Sequence, residues 1–225
     1  MTNQPLHSWN VAPPEAIAIQ RELRDKVLLT PLDGDIQTIA GADISFNKYS
    51  DVLYAAIVVL SFPALETIDE VGVVATSTFP YVPGLLSFRE APPLLEAWKK
   101  LRTRPDLLVC DGQGIAHPRR LGIASHIGLW LDVPTIGCAK SVLVGRFEEP
   151  GIERGSWSPM LHRDEPIGAA LRTQNKVQPV YVSPGHKSDI ESAVNVLLTC
   201  DGGYRIPEPT RRAHLKVNQL RLAAS

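Results

Sequence analysis

The sequence predicts an α/β fold in which one mixed sheet carries helices on both faces. Three strand-like segments joined by short turns come first, a pattern typical of an antiparallel meander. Short apolar segments then alternate with helical ones, which favours parallel strands joined by helical crossovers. A chain of 225 residues that is 44% hydrophobic can bury one large core. We therefore expect a single domain over residues 1–225, with its core at about 36–200.

Periodicity assigns the elements of the first eighty residues. Ala16, Ile19, Leu23 and Val27 fall on one stripe of an amphipathic helix that starts near a first-turn proline. The strands that follow are rich in Val, Ile and Thr, and the second is almost wholly apolar, which indicates a central position. The predicted elements are a helix at 14–29 and strands at 36–46, 52–60 and 66–78.

The rest of the chain alternates between the two kinds of element. Proline- and glycine-rich places at 79–84, 91–93, 149–159 and 206–209 are expected to be loops. Ser188 is the expected N-cap of the last core helix. A C-terminal helix or tail at about 205–225 is expected to be partly disordered outside a turn at His214. The predicted elements are helices at 94–102, 121–131 and 189–198 and strands at 107–110, 135–140 and 180–182.

Several classes of protein are excluded by the composition. The longest apolar run has nine residues, too few to cross a bilayer, and no basic patch with an apolar segment opens the chain. Cys110, Cys138 and Cys200 lie far apart, without the spacing of a disulfide framework or a zinc knuckle. We therefore expect a protein of a reducing compartment, the cytoplasm, with no membrane partner.

The formal net charge of −1 at first argues against a nucleic-acid partner. The sum conceals a split, because residues 1–80 carry 4 basic and 10 acidic residues while residues 81–225 carry 19 basic and 14 acidic. A phosphate backbone responds to the local field rather than to the whole-chain sum. The basic second part of the chain is therefore compatible with binding nucleic acid.

Three acidic residues occupy places where a sheet builds a site. Asp43 lies late in the first strand, Asp111 ends the strand at 107–110, and Glu90 follows Leu86–Arg89. Hard divalent cations prefer such oxygen ligands. Each residue also has an ordinary interpretation: Asp43 as a turn cap, Asp111 as an Asp-Gly turn, and Glu90 as a capping-box partner of Ser87. The combination of the three favours a metal site for phosphodiester cleavage.

Five motifs, in this order, resemble the endonuclease V family, the deoxyinosine 3′ endonucleases, over roughly residues 39–214. Two of these motifs are specific in both length and content: the segment from Pro80 to Glu90 and the segment from Asp111 to Arg120. The motifs are Gly41-Ala-Asp-Ile-Ser-Phe46, Pro80-Tyr-Val-Pro-Gly-Leu-Leu-Ser-Phe-Arg-Glu90, Asp111-Gly-Gln-Gly-Ile-Ala-His-Pro-Arg-Arg120, Gly137-Cys-Ala-Lys140 and Pro207-Glu-Pro-Thr-Arg-Arg-Ala-His214.

The resemblance implies an RNase H-like fold and a metal-dependent repair endonuclease. Such an enzyme would cut the second phosphodiester bond 3′ to deoxyinosine with Mg²⁺ or Mn²⁺, leaving 3′-hydroxyl and 5′-phosphate ends. By motif, Asp43 and Asp111 are expected to hold metal, with Glu90 as the third acidic residue. Lys140 is expected to contact the scissile phosphate. His214 is expected to complete the site, either as a metal ligand or as a group that orients water.

The resemblance also implies a wedge and a base pocket. Pro80, Tyr81, Val82 and Pro83 resemble the family's wedge, since a stiff loop with an aromatic can enter the gap left by an extruded base. Tyr81 alone would be read as a half-buried loop aromatic. The main chain near Gly84, Leu85, Gly112 and Gly114 is expected to read the edges of hypoxanthine, because glycine permits close approach.

Two further residues carry open alternatives. Arg119 either contacts DNA phosphates or is simple surface charge, and His126 is interpreted as a packing residue inside its helix. At the level of function, the leading prediction is cutting of deoxyinosine DNA by a monomer. The alternatives are a ribonuclease for inosine in RNA and a catalytically inactive RNase H-like binding module.

Overall fold

One eight-stranded sheet forms the centre of the computed structural model, which describes residues 5–32, 34–48 and 50–224. Residues 1–4, 33, 49 and 225 of the predicted domain lie outside this range. The strands are β1 Thr38–Phe46, β2 Val52–Ser61, β3 Thr67–Thr76, β4 Leu107–Cys110, β5 Thr135–Ala139, β6 Trp157–His162, β7 Glu165–Leu171 and β8 Val180–Pro184.

Helices cover both faces of this sheet. Alternation of side chains along β1 and β2 sends one set of apolar residues to each face, so each face has its own core. Two helices pack on one face and two on the other, while the first helix lies against the loop before α2. The helices are α1 Pro13–Leu23, α2 Leu86–Lys100, α3 Ile123–Leu131, α4 Ile190–Thr199 and α5 Glu208–Ala223.

The strand order is β3-β2-β1-β4-β5-β8-β7-β6. The predicted meander is confirmed, because β1, β2 and β3 pair antiparallel in sequence order. Strands β4 and β5 then add in parallel to β1, with Ala42 opposite Cys110 and Cys110 opposite Gly137. The carboxyl ends of three neighbouring strands therefore meet at one edge of the sheet, where α/β proteins build their sites.

The far half of the sheet differs from the prediction. Strand β8 runs antiparallel to β5, and the hairpin of β6 and β7 was not predicted at all. The two residues between β6 and β7, Arg163 and Asp164, both have positive φ, near 57° and 63°. Tight hairpin turns of this kind usually use Asn-Gly or Asp-Gly. An Arg-Asp turn gives no such signal, so the hairpin could not be identified from local sequence.

The helix α2 begins at Leu86, eight residues before its predicted start at residue 94. Pro92 and Pro93 lie inside it, where the sequence predicted a loop. Each proline removes a backbone donor and typically costs about 3 kcal/mol in a helix interior. Burial of the apolar side of α2 against the sheet, including Pro93 itself, offsets that cost.

Helix ends also depart from the prediction. The C-terminal segment forms the sixteen-residue helix α5 up to Ala223 rather than a partly disordered tail, because Ala213 and Val217 are fully buried on the sheet. The first helix ends at Leu23 and continues only as a short 3₁₀ turn. The N-cap of α4 is Asp189, which accepts a hydrogen bond from the Ser192 amide, whereas Ser188 bonds to neighbouring backbone.

Within the described parts of the chain, none of the helices combines the length and apolar character needed to cross a membrane.

Candidate active site

Three predicted site residues meet at the edge formed by the ends of β1, β4 and β5. Asp43 is in β1, and Asp111 directly follows β4, with its amide donating to the Ala42 carbonyl at 2.9 Å. Lys140 directly follows β5, and its ammonium group donates to a carboxylate oxygen of Asp111. Parallel pairing alone places these side chains together, since the strands share one register.

His214 reaches the same place from the second turn of α5. Its Nδ1 lies 2.8 Å from Oδ2 of Asp43, and its Nε2 lies 3.0 Å from Nδ2 of Asn218. The Asn218 amide oxygen accepts from Arg221, which orients its nitrogen toward the histidine. The Asn218 nitrogen can only donate, so Nε2 of His214 accepts and Nδ1 carries the proton that is donated to Asp43.

Asp43, Asp111 and His214 form a donor set that fits a divalent cation. Each offers one ligand atom, and the three atoms lie within 4.8 Å of one another. Both nitrogens of His214 are hydrogen-bonded here, so a cation at either one would replace its bond to Asp43 or to Asn218. The two carboxylates are the oxygen ligands that Mg²⁺ and Mn²⁺ prefer, whereas an imidazole is more usual with transition metals. The electrostatics point the same way, because burial and the charge of Asp111 raise the pKa of Asp43 from 3.8 to about 6. A bound cation would offset this concentration of negative charge.

Glu90 stands beside that group without belonging to it. It is half-buried on α2, and it lines the same cavity as Asp43 and Asp111. Burial, followed by the charge of Asp43, raises the pKa of Glu90 from 4.5 to about 7. Among the described residues, the set with ligand atoms within 4.8 Å does not include Glu90. Its role as a direct metal ligand stays a prediction.

Two adjoining cavities open along this edge. The larger, of about 390 Å³, extends from the loop before α2 to Lys140 and falls within the range of ~300–1,000 Å³ typical of small-ligand pockets. The smaller, of about 240 Å³, contains Asp43. Glu90 and Asp111 line both. Asp43 therefore lies next to the larger cavity, while Glu90 and Asp111 lie in the wall that the two cavities share.

The predicted wedge loop forms the mouth of the larger cavity. Tyr81 is 59% exposed and lines the cavity together with Pro83. Val82 instead packs behind the loop against an apolar cluster that includes Phe88, and Pro80 is exposed. The loop is thus held by an apolar anchor, with its aromatic ring left exposed at the entrance.

Four main-chain positions were predicted for the base pocket, and the structure brings two of them to the larger cavity. Gly84 and Gly112 lie in its wall. Leu85 is buried in the cluster behind the wall, and the Gly114 amide donates to Ser183 Oγ at 2.7 Å. A Cβ at Gly114 would overlap the Pro184 carbonyl, so this glycine serves the close approach of two chain segments.

Arg119 has inward partners that surface charge would lack. Its guanidinium donates to the Gly84 carbonyl at 2.6 Å and to the side-chain oxygen of Gln20. As a phosphate contact it stays a prediction. Sequence reasoning missed Gln20, although its spacing of four from Ala16 and three from Leu23 puts a polar residue on the buried side of α1.

A second buried polar chain runs behind the cavity wall. His126 is fully buried, as predicted, but it also bonds to Ser87 Oγ at 2.9 Å and to His7 Nε2 at 2.7 Å. Trp130 donates to that same His7 nitrogen, which therefore accepts. His126 consequently carries its proton on Nε2, and Ser87 donates its hydroxyl proton to Nδ1. This chain ties the N-terminal segment to α2 and α3.

His117 is a buried imidazole whose hydrogen bonds suit its neutral form. Its Nε2 donates to the Gly84 carbonyl at 3.0 Å and its Nδ1 accepts from the Arg119 amide at 3.2 Å, so the neutral ring suits both bonds. Burial, with the charge of Arg119, lowers its pKa from 6.5 to about 4. A lowered pKa in the folded state means that stability present above pH 6.5 is lost as the pH falls toward 4.

We expect His117→Gln to remove this acid sensitivity, because glutamine can still donate to Gly84 but does not titrate. Relative to the variant, the wild-type protein should lose about 2 kcal/mol of unfolding free energy between pH 7.5 and pH 5. Urea unfolding at both pH values measures the difference, in which the titrations of other groups cancel. An equal pH dependence of the two proteins would contradict the assignment of His117.

Comparison with known proteins finds similarity over nearly the whole chain. A sequence model of the endonuclease V family matches residues 21–215. The endonuclease V of Gloeobacter violaceus is 52% identical over 221 residues, covering 97% of this chain and 90% of that protein. The crystal structure of endonuclease V from Streptomyces avermitilis has a TM-score of 0.91 at 43% identity, covering 97% of each chain. Endonuclease V from Ciona intestinalis, in complex with a 23mer DNA containing an inosine followed by a ribo-adenosine, has a TM-score of 0.84 at 27% identity and covers 96% of this chain and 100% of its own.

Proposed function

The chain belongs to the endonuclease V family, and from that premise we propose that it is a metal-dependent repair endonuclease for deoxyinosine in DNA. The fold of that family is RNase H-like, as the sequence predicted. The observation that carries the proposal is the pair of adjoining cavities, one lined by Tyr81 and the other containing Asp43. One cavity suits a base and the other suits a phosphodiester.

The arrangement of the cavities supports cutting at a bond displaced from the lesion. An extruded base in the larger cavity leaves its own backbone at the mouth, and the strand then continues along the edge toward Asp111 and Asp43. Cutting would fall on the second phosphodiester bond 3′ to the deoxyinosine, leaving 3′-hydroxyl and 5′-phosphate ends. The basic balance of residues 81–225 supports a hold on the phosphate backbone.

Each polar residue of the site has a role in this proposal. Asp43, Asp111 and His214 would hold Mg²⁺, for which Mn²⁺ can substitute, with Glu90 as the third acidic residue. When bound, such a cation lowers the pKa of a coordinated water and neutralises charge that develops on the phosphate. Lys140, already paired with Asp111, adds a positive charge at the edge where the scissile phosphate would lie.

Recognition of the lesion would take place in the larger cavity. A base in a duplex exposes its Watson–Crick edge to a protein only after it leaves the stack. Tyr81 would fill the gap left in the duplex, with Pro80 and Pro83 stiffening the loop around it. The main chain at Gly84 and Gly112 can approach the flipped base closely, because neither position has a side chain.

The direct test compares two duplexes that differ by one deoxyinosine, each incubated with the protein and with Mg²⁺ or a chelator. We expect cutting of the deoxyinosine strand alone, only with metal, at the second bond on the 3′ side. Equal cutting of both duplexes, or of neither, would reject the proposal. Calorimetry tests the alternative of an inactive binding module. Such a module would bind no divalent cation, so measured binding of Mg²⁺ would reject it.

A second candidate is a ribonuclease for inosine in RNA. It is favoured by one observation, since the DNA in the complex of the Ciona intestinalis relative contains a ribo-adenosine after the inosine. The same acidic group would serve, because the two substrates differ at the 2′ position. Side-by-side cutting of inosine in RNA and in DNA separates the two. The single domain, the monomeric state and the cytoplasmic location stay predictions.

Tyr81→Ala should weaken discrimination between lesion and undamaged DNA. Stacking of one base on an aromatic ring is worth about 1–3 kcal/mol, so the ratio of the two dissociation constants should fall by about tenfold. Competition binding in a chelator measures this ratio without cutting. Trp157→Ala is the matched control, since Trp157 is 43% exposed on the far edge strand β6. Unchanged discrimination in Tyr81→Ala would reject the wedge.

A further inference from the structure

The Gly84 carbonyl oxygen accepts hydrogen bonds from three side chains at once. Gln20 Nε2 and His117 Nε2 each lie 3.0 Å away, and Arg119 Nη2 lies 2.6 Å away. Gly84 directly follows the wedge loop and has a φ of +77°, in the region that favours glycine. We name Gln20, His117 and Arg119, which converge on this oxygen, the Gly84 clamp.

Gln20 links the clamp to a second segment of the cavity wall. Its Nε2 also donates to the Leu121 carbonyl at 3.3 Å, and its Oε1 accepts from Arg119 Nε. Both amide protons and the amide oxygen are therefore used, in a side chain that is only 1% exposed. Both residues line the cavity, Gly84 from the segment before α2 and Leu121 from the segment between β4 and α3.

We propose that Gln20 is a positioning residue for lesion recognition. It fixes the separation of the two wall segments that contain Gly84 and Leu121. The proposal rests on the proposed function of the cavity as a base pocket. Reading a base edge requires donors and acceptors held to within about 0.5 Å. A glutamine that bonds to both wall segments supplies that constraint from α1, an element that does not line the cavity.

Gln20 contacts residues of the cavity wall and none of the predicted catalytic residues. Its hydrogen-bond partners are Gly84, Leu121 and Arg119, and none of these is a predicted catalytic residue. Loss of the link should therefore loosen the pocket while the ends of β1, β4 and β5 keep their register. The expected signature is a change in selectivity and in KM for the lesion, with kcat nearly unchanged.

Gln20→Met is the test variant, because methionine keeps the length and volume but donates and accepts no such bonds. Val194→Ala is the control: it removes buried volume from α4 on the α4/α5 face of the sheet, and it loses stability without touching the clamp. If Gln20 had a merely structural role, Gln20→Met and Val194→Ala would show the same selectivity for the lesion at an equal loss of stability.

Three readouts decide the matter. We expect Gln20→Met to lower the ratio of lesion to undamaged binding by about tenfold, the effect of one to two poorly placed hydrogen bonds. We expect kcat on saturating deoxyinosine DNA to change less than threefold. In the free protein, hydrogen exchange of the amides at 84–88 and 121–124 should quicken in Gln20→Met and not in Val194→Ala. Unchanged exchange, unchanged selectivity, or a kcat that falls with the selectivity would each overturn the proposal.

The exchange experiment needs no substrate, so it keeps the clamp testable apart from the function. A wild-type protein without preference for deoxyinosine would reject the proposed function, and the exchange result would still decide whether Gln20 holds the two wall segments. If Gln20→Met fails to fold, Arg119→Met replaces it, since Arg119 is half-buried in a loop. Loss of selectivity there supports the clamp, whereas equal weakening toward both duplexes would overturn it in favour of a plain phosphate contact.

Discussion

Asp43→Asn and Asp111→Asn should each lower the rate of cutting deoxyinosine DNA by about 10³-fold or more, as removal of a charged group from the reacting centre does. Both carboxylates belong to the set whose ligand atoms lie within 4.8 Å, so either change leaves one carboxylate and one imidazole. Asp43 is not in the wall of the larger cavity, and Asp111→Asn keeps the size and shape of the Asp111 side chain in that wall, which Tyr81 also lines. Binding of deoxyinosine DNA in a chelator should therefore stay within about threefold of wild type. Single-turnover cutting and competition binding measure the two quantities.

The same substitution at Asp43 should stabilise the metal-free protein. The pKa of Asp43 is raised from 3.8 to about 6 in the folded state. The folded protein is therefore most stable with Asp43 protonated, and it loses that stability as the pH rises through 6. At pH 7.5 the ionised carboxylate of Asp43, 7% exposed and facing Asp111, therefore costs folding energy. The neutral amide introduced by Asp43→Asn would remove that cost, and we expect a gain of about 2 kcal/mol in a chelator. Urea unfolding at pH 7.5 measures this gain.

Asp164→Asn is the matched control for both measurements. Asp164 is an exposed carboxylate in the turn between β6 and β7, where it pairs with Arg146. It should change neither the activity nor, by more than about 0.5 kcal/mol, the stability. Full activity in either site variant would show that the acidic group does not hold the metal. If Asp43→Asn loses activity but is less stable than the wild-type protein, the claim that the buried charge of Asp43 costs folding energy is wrong.

The sequence predicted that acidic residues meet at one edge of the sheet, and the structure shows this meeting where strands build the edge. Asp43 and Asp111 meet because two short apolar runs pair in parallel, and such runs are visible locally. The strand β4 has the predicted bounds, Leu107–Cys110, since a run of four buried residues ends at a charged one. The position of Lys140 is explained in the same way, because it directly follows β5, which pairs in parallel with β4.

The part that local sequence could not predict depends on contacts distant in the chain. The helix α5 has few apolar residues, and it is ordered by packing on β1 and β2 through Ala213 and Val217. The early start of α2 likewise contradicts two prolines and depends on burial. Gln20 carries no motif, and only its three partners reveal its place. Propensity is a weak guide wherever tertiary packing decides the element.

Helix α5 is therefore the element on which the site depends most and which the sequence defines least. Its first turn lies directly on β1, where a Cβ added to Gly41 would overlap the Pro209 carbonyl and stand 2.7 Å from the Thr210 amide. Both are backbone atoms, which cannot rotate away. The absence of a side chain at Gly41 is thus the condition that lets α5 approach and His214 reach Asp43.

Gly41→Ala should push α5 off the sheet, with a loss of at least about 3 kcal/mol of unfolding free energy. His214 would leave Asp43 with it, and we expect cutting to fall on the order of 10²-fold through weaker metal binding. Urea unfolding and a titration of activity against Mg²⁺ measure the two effects. Gly72→Ala is the matched control, because the three atoms nearest to an added Cβ there all belong to the flexible side chain of Leu220 on α5. It should cost about 1 kcal/mol or less and leave activity intact. Equal effects of the two substitutions would mean that the close approach at Gly41 does not hold His214 in place.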